Sequence, residues 1–196
     1  MGKAQKLEYG FPSQAWHTGE LTLNDGITLE GKIKYDLETD ALHLNSGGNT
    51  RTYVANQIEK FHIYQRDIKR QREFISIPFE TKAGYKRPKF FEIVYQNATS
   101  LLVREVNSFS NQTRVNPLAT HGVGRLHRVR VGVVNYDYFL VDNQGNLKLV
   151  DKGVKGVARS FENHQKELKS FIRANKLRVK EIDDMIKLVT FYNTFG

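Results

Sequence analysis

Leu21 and Leu23 alternate with polar residues, Asn24-Asp25-Gly26 interrupts the run, and Ile27, Leu29, Ile33 and Tyr35 resume the alternation. A period of two broken by Asp-Gly predicts a β-hairpin over residues 19–35 with one wet face. Ala41 to Leu44, Thr50 to Val54 and Ile58 to Tyr64 add three short strands, with Ser46-Gly47-Gly48-Asn49 as a turn. Five strands joined by tight turns predict a small SH3- or Sm-like barrel or an open meander.

A charged stretch, Asp67 to Arg72, has no apolar period and reads as a connector. Phe74, Ile75 and Ile77 then lead to Pro78, which marks an edge strand or a strand end. Lys82 to Lys89 reads as a basic loop, and Phe90–Tyr95 with Ser100–Val106 as a second hairpin across Gln96-Asn97-Ala98-Thr99. Residues 107–124, rich in Ser, Asn, Thr and Gly, read as a long loop. Val129, Val131 and Val133 alternate with Arg128, Arg130 and Gly132, and Tyr138–Val141 and Leu147–Val150 flank another turn. Asn135-Tyr136-Asp137 fits either a turn or the middle of one long strand.

From Lys152 the period changes to about 3.6. Val154 and Val157 open a short helix. Phe161, Leu168, Phe171 and Ile172 form one apolar stripe, with Ser160 as N-cap and Glu162–Lys166 as a surface pair. Ile182, Met185, Ile186, Val189 and Tyr192 mark a last helix, with Asp183–Lys187 on its surface. The expected fold class is α+β, mostly antiparallel β capped by C-terminal α-helices. The expected divisions are an arm at 1–15, a small β lobe at 16–66, a second β region packed on it at 67–151, and a helical segment at 152–196.

Composition narrows the classes. The chain has 196 residues, no cysteine and a mean hydropathy of −0.53. Disulfides, thiolate nucleophiles and Cys-ligated zinc are therefore excluded, and no apolar run approaches the ~20 residues of a membrane-spanning helix. The net charge is +9, unevenly spread. Residues 66–135 hold 13 Lys/Arg against 5 Asp/Glu, whereas residues 1–65 hold 6 against 8. Such a field draws phosphates, anionic headgroups or acidic proteins.

Motifs of catalysis are missing. The six histidines include no His-Glu-x-x-His or His-x-His arrangement, so no metal site is expected. There is no Gly-x-Ser-x-Gly elbow. Gly122-Val123-Gly124 lacks the following helix that would give it phosphate-cradling geometry. Asp183 and Asp184 point ~100° apart on a helix and read as a solvated face. The sequons at Asn97 and Asn111 read as turn and loop chemistry. Trp16 is expected to plug the open end of the first hairpin's core. No enzyme activity and no cofactor are expected.

One constellation remains. Arg125, His127, Arg128 and Arg130 fall within six residues, Tyr136 and Tyr138 follow, and Arg114 precedes them, with Lys69, Arg70 and Arg72 on the connector. Strand alternation puts Arg128 and Arg130 on one face, a candidate anion- or partner-binding surface.

Gly-x-Leu-x-Leu-x-Asp-Gly-x-x-Leu-x-Gly-x-Ile-x-Tyr at 19–35, then Phe90-Phe91-Glu92, Tyr138-Phe139-Leu140-Val141 with Gly145, and Phe191-Tyr192-Asn193 resemble a group of proteins. These are uncharacterised, leader-bearing, β-rich proteins common in Bacteroidetes-type bacteria. The resemblance implies export, periplasmic residence once a leader is removed, and no catalytic residues to carry over. Met1-Gly2 reads as an added start, and Lys3-Ala4-Gln5 as what flanks a cleaved leader. The expectation is a non-enzymatic exported binding or structural module that engages an anionic protein or surface. The alternative is a cytosolic nucleic-acid-binding Sm/SH3-like barrel protein.

Overall fold

The opening alternation folds into β1 (His17–Leu23) and β2 (Thr28–Asp36), antiparallel with Leu21 opposite Leu29. β3 (Ala41–Ser46) and β4 (Asn49–Val54) follow across Gly47-Gly48. Both glycines have positive φ (59° and 85°), as a type I′ two-residue turn requires. Then come β5 (Ile58–Gln65), β6 (Arg70–Glu80), β7 (Lys86–Tyr95), β8 (Ser100–Val115), β9 (Leu126–Val141) and β10 (Leu147–Leu149). The chain ends in α1 (Gly153–Ser160), α2 (Gln165–Ala174) and α3 (Ile182–Tyr192). These elements come from a computed structural model, which describes residues 15–80, 84–115 and 126–195, with residues 107–115 and 126–133 described as backbone only.

The fold is α+β. Its ten strands form one antiparallel sheet in the order β10-β9-β8-β7-β6-β5-β1-β2-β3-β4. Among the described residues β4 has no ladder to β5, so the barrel expected from the first five strands does not close. The sheet instead continues through the turn at residues 66–69, because β5 pairs with β6 from Gln65–Arg70 to Lys60–Ile75.

The sheet is nonetheless strongly bent, and in two senses. Tyr35 on β2 and Phe90 on β7 meet at 5.6 Å between ring centroids. Four strand spacings of ~4.8 Å would hold them about 19 Å apart in a flat sheet. One face therefore wraps around Leu21, Ile33, Tyr35, Phe61, Phe74 and Phe90. Gly19 and Gly31, directly opposite each other, assist the bend: a Cβ on either would strike the backbone of the next strand, at His62 and Asn45. Further along, Phe79 on β6 reaches Phe139 on β9 at 5.5 Å across two intervening strands. There the opposite face closes over Phe91, Leu102 and Phe139. Phe90 and Phe91, adjacent on β7, thus feed opposite cores.

The helices cover the remaining face of β7–β9. Leu101, Val103, Tyr138 and Leu140 meet Val157, Leu168, Ile172, Met185, Leu188 and Val189. The expected stripe is present: Phe161, Leu168 and Ile172 are buried, and Phe171 stacks on Phe191 of α3 at 4.0 Å.

Several local expectations are corrected. Ser160 ends α1 rather than capping α2; its hydroxyl accepts the Asp151 N–H and donates to the Gly156 carbonyl. Glu162 accordingly lies before α2 and has no helical partner in Lys166. On α3, Lys187 pairs with Asp184 at 2.8 Å instead of Asp183. Trp16 is 47% exposed and plugs nothing. The basic loop is shorter than expected because β7 starts at Lys86, and Arg70–Arg72 belong to β6, not to a connector. Pro78 falls where β6 has outrun β5, so its missing N–H costs no ladder bond on that side. Residues 107–115, expected in a loop, continue β8; residues 116–124 lie outside the described residues. Asn135–Asp137 form the middle of one long strand.

Candidate functional site

β8 pairs with β7 only over Leu101–Val103, yet with β9 over its whole length, from Ser100–Val141 to Val115–Leu126. From Arg104 outward the two strands pair only with each other. They form a two-stranded ribbon of roughly 40 Å at ~3.3 Å per residue. Its far part holds most of the basic set: Arg114 opposite His127, Arg128 opposite Thr113 and Arg130 opposite Asn111. Arg125 lies outside the described residues. Tyr136 and Tyr138 sit at the ribbon's root, six and eight residues, or roughly 20 and 26 Å, from Arg130. The structure thus gathers Arg114, His127, Arg128 and Arg130 by register and separates them from the tyrosines.

The root is held on both faces by charges that sequence reasoning missed. Glu105 accepts from Arg72 at 2.6 Å, and Arg72 also clasps Glu92 through two nitrogens, at 3.1 and 2.6 Å. Gln65 accepts from the same guanidinium, and Arg70 stands 3.7 Å from Glu92. The Arg72, Glu92 and Glu105 side chains are all 5% exposed or less. Burial alone would favour losing the Arg72 proton, but the hydrogen bonds and charges of Glu92 and Glu105 outweigh it and hold the group above its ordinary value. Arg72 therefore belongs to the interior and adds nothing to a basic surface.

Arg104, the neighbour of Glu105, turns the other way. It donates to Asp40 at 2.8 Å and to the Phe90 carbonyl at 2.7 Å, and lies over the Phe91 ring. Asp40, in the β2–β3 turn, also accepts from Tyr35 and Lys89. This ties the first bend of the sheet to the ribbon. The signal for both networks was present in the sequence: Glu92 inside Phe-Phe-Glu-Ile-Val-Tyr, and Arg104-Glu105 inside Leu-Leu-Val-Arg-Glu-Val. A charge inside an apolar strand run needs a buried partner.

Between the root and the helices lies a pocket of about 360 Å³, lined by Val106, Tyr136, Tyr138, Val157, Val179 and Lys180 among others. The Tyr138 hydroxyl donates to the Lys180 carbonyl at 2.8 Å, fixing the α2–α3 link against β9. Burial, then the nearby Glu105 carboxylate, raises Tyr136 above the usual phenol value, and burial followed by Glu181 raises Tyr138. Both stay protonated at neutral pH. Among the described residues no group of three or more His, Asp or Glu side chains is placed to hold a metal ion, and no helix is long and apolar enough to cross a membrane.

Comparison with protein-family models, curated proteins and solved structures finds no match for this chain.

Proposed function

We propose that this chain is a non-enzymatic, exported binding module that engages an anionic protein or surface through the β8–β9 ribbon. The observation that carries this reading is the position of the basic set. Arg114, His127, Arg128 and Arg130 ride on a two-stranded ribbon that has left the sheet, while its root is locked by two buried ion networks. A rigid root with a cationic far end presents charge to a partner at low conformational cost. The net charge of +9 favours the same class of partner over long range. Export follows from the family resemblance. A closed Sm-like barrel would add to the nucleic-acid alternative, and the described strands form an open sheet instead.

The test is interferometry on a polyglutamate-coated surface at low and high salt. The parent chain binds at low salt and releases at high salt. Replacing Arg128 and Arg130 with serine abolishes most of that binding. Equal binding by the double variant would reduce the ribbon to a solvated hairpin. Export is tested apart, by fractionating cells that express the native gene; recovery from the cytoplasm alone defeats that half of the proposal.

A further inference from the structure

An open sheet leaves strand edges unpaired, and most of those here carry features that keep edges from pairing: shortness, proline and charge. β10 ends the sheet on one side with only three residues. β6 beyond Ile75 and β7 before Glu92 lack an outer neighbour, and there Pro78 stands opposite Pro88, with Lys86, Arg87 and Lys89 alongside. The ribbon's edges carry the basic set. β4 ends the sheet on the other side with six residues, Asn49-Thr50-Arg51-Thr52-Tyr53-Val54. It has no proline, no lysine and no bulge, and all of it except Tyr53 is exposed.

The hairpin dictates which backbone groups β4 offers. Its two-residue turn makes Ser46–Asn49 a hydrogen-bonded pair, so Asn45–Thr50 and His43–Thr52 are non-hydrogen-bonded pairs. The N–H and C=O groups of Thr50, Thr52 and Val54 therefore point away from β3. The Val54 N–H donates to the Gln57 side chain at 3.1 Å, while its carbonyl accepts the Gln57 N–H at 2.9 Å and keeps a second lone pair. Arg51 and Tyr53 lie on the face of the first core, opposite Leu44 and Leu42. With Leu29 and Leu44 they line a groove of about 700 Å³. Arg51 is exposed and in no ion pair among the described residues.

We propose that β4 pairs with β4 of a second copy of this chain, antiparallel about a two-fold axis at Thr52. Two registers keep each side chain on its own face and give the N–H groups of both Thr50 and Thr52 an acceptor. One sets Arg51 against Arg51 of the copy, a like-charge pair that destabilises a sheet. The other sets Thr52 against Thr52, Thr50 against Val54 and, on both sides of the axis, Arg51 against Tyr53. That register gives each guanidinium an aromatic ring and continues the core-side face across the groove. β4 thus complements itself, and the region that carries it is nearly neutral: residues 1–65 hold 6 Lys/Arg against 8 Asp/Glu. Two copies meet there without opposing the positive fields of residues 66–135. The ribbons lie toward the β10 end and take no part.

Because the chain has no cysteine, a single introduced thiol reports the register. Under mild oxidation Thr52→Cys gives a disulfide-linked dimer, since directly opposed Cα atoms lie ~5.5 Å apart, within disulfide reach. Thr50→Cys gives none, because its two copies stand roughly 13 Å apart along the strands. Sedimentation of the parent chain shows a monomer–dimer equilibrium with a Kd of about 10–100 μM, as suits a small contact. Thr52→Lys, an exposed change that sets two ammonium groups face to face on the axis, weakens dimerisation about tenfold or more and leaves the circular dichroism unchanged. A parent chain that stays monomeric up to about 1 mM overturns the proposal. So does equal cross-linking by the two cysteine variants, or a dimer that Thr52→Lys leaves intact.

Discussion

Two consecutive residues on β8 decide how the ribbon stands. Successive side chains of a strand leave on opposite faces, so Glu105 goes to Arg72 and Arg104 to Asp40. Neither network is a cheap source of stability, because desolvating the ions costs about as much as their attraction returns. Their effect is geometric: each partner lies on a different strand or turn, so the ribbon root has one permitted placement. The energetic consequence appears when one partner is lost. Arg72→Leu removes the guanidinium that Glu92 and Glu105 share while both carboxylates stay buried. Urea unfolding at neutral pH should show a loss of roughly 3–5 kcal/mol. A loss below about 1 kcal/mol would mean that water reaches the two carboxylates and that the root is looser than its geometry indicates.

At the scale of elements, the alternation of apolar and polar residues located the first hairpin, the β3–β4 turn and the helical stripe, because each is a local pattern with its own period. What escaped it has a different origin. Residues 107–115 carry loop-like Ser, Asn and Thr yet pair with β9, since register with a valine-rich partner overrides weak strand preference. Ser160 has the chemistry of an N-cap, but its hydroxyl is taken by the turn before α1. Asn193, just past α3, donates to the Thr99 carbonyl and accepts the Thr99 N–H. That tie spans 94 residues and has no local signature. Of the candidate site, the basic residues were legible as a run, but their isolation on a ribbon was not, because it depends on where β7 stops pairing. The ribbon's independence is itself testable. Beyond Arg104 the backbone of β8 and β9 pairs only within the ribbon. Joining Val106 to Asn135 through Asn-Gly should leave stability within about 1 kcal/mol of the parent, measured by urea unfolding, while polyglutamate binding disappears. A large loss of stability would show that the far ribbon packs back onto the sheet.

Across the whole molecule, the two bends share their central strands. Phe74 of β6 and Phe90 of β7 enter the first core, while Ile75 and Phe91 on the same strands enter the second. Neighbouring residues buried on opposite faces are the mark of a strand covered on both sides, and Phe90-Phe91 carried that mark in the sequence. The Asp40–Arg104 and Arg72–Glu105 contacts add further ties between the bends. Neither half can open without exposing part of the other's core, so the chain should unfold as one unit despite its length. Ile63→Ala weakens the first core and Leu168→Ala the helix-covered one, each removing a fully buried side chain at a cost of about 2–5 kcal/mol. Trp16, the single tryptophan, stands at the start of β1 and reports the first half by fluorescence, while the circular dichroism of the helices reports the other end. In both variants the two signals should move to the same lower urea midpoint. A Leu168→Ala protein whose helices melt while Trp16 keeps its native signal would mean that β6 and β7 act as a hinge between two independent lobes, and the ribbon would then be fixed to only one of them.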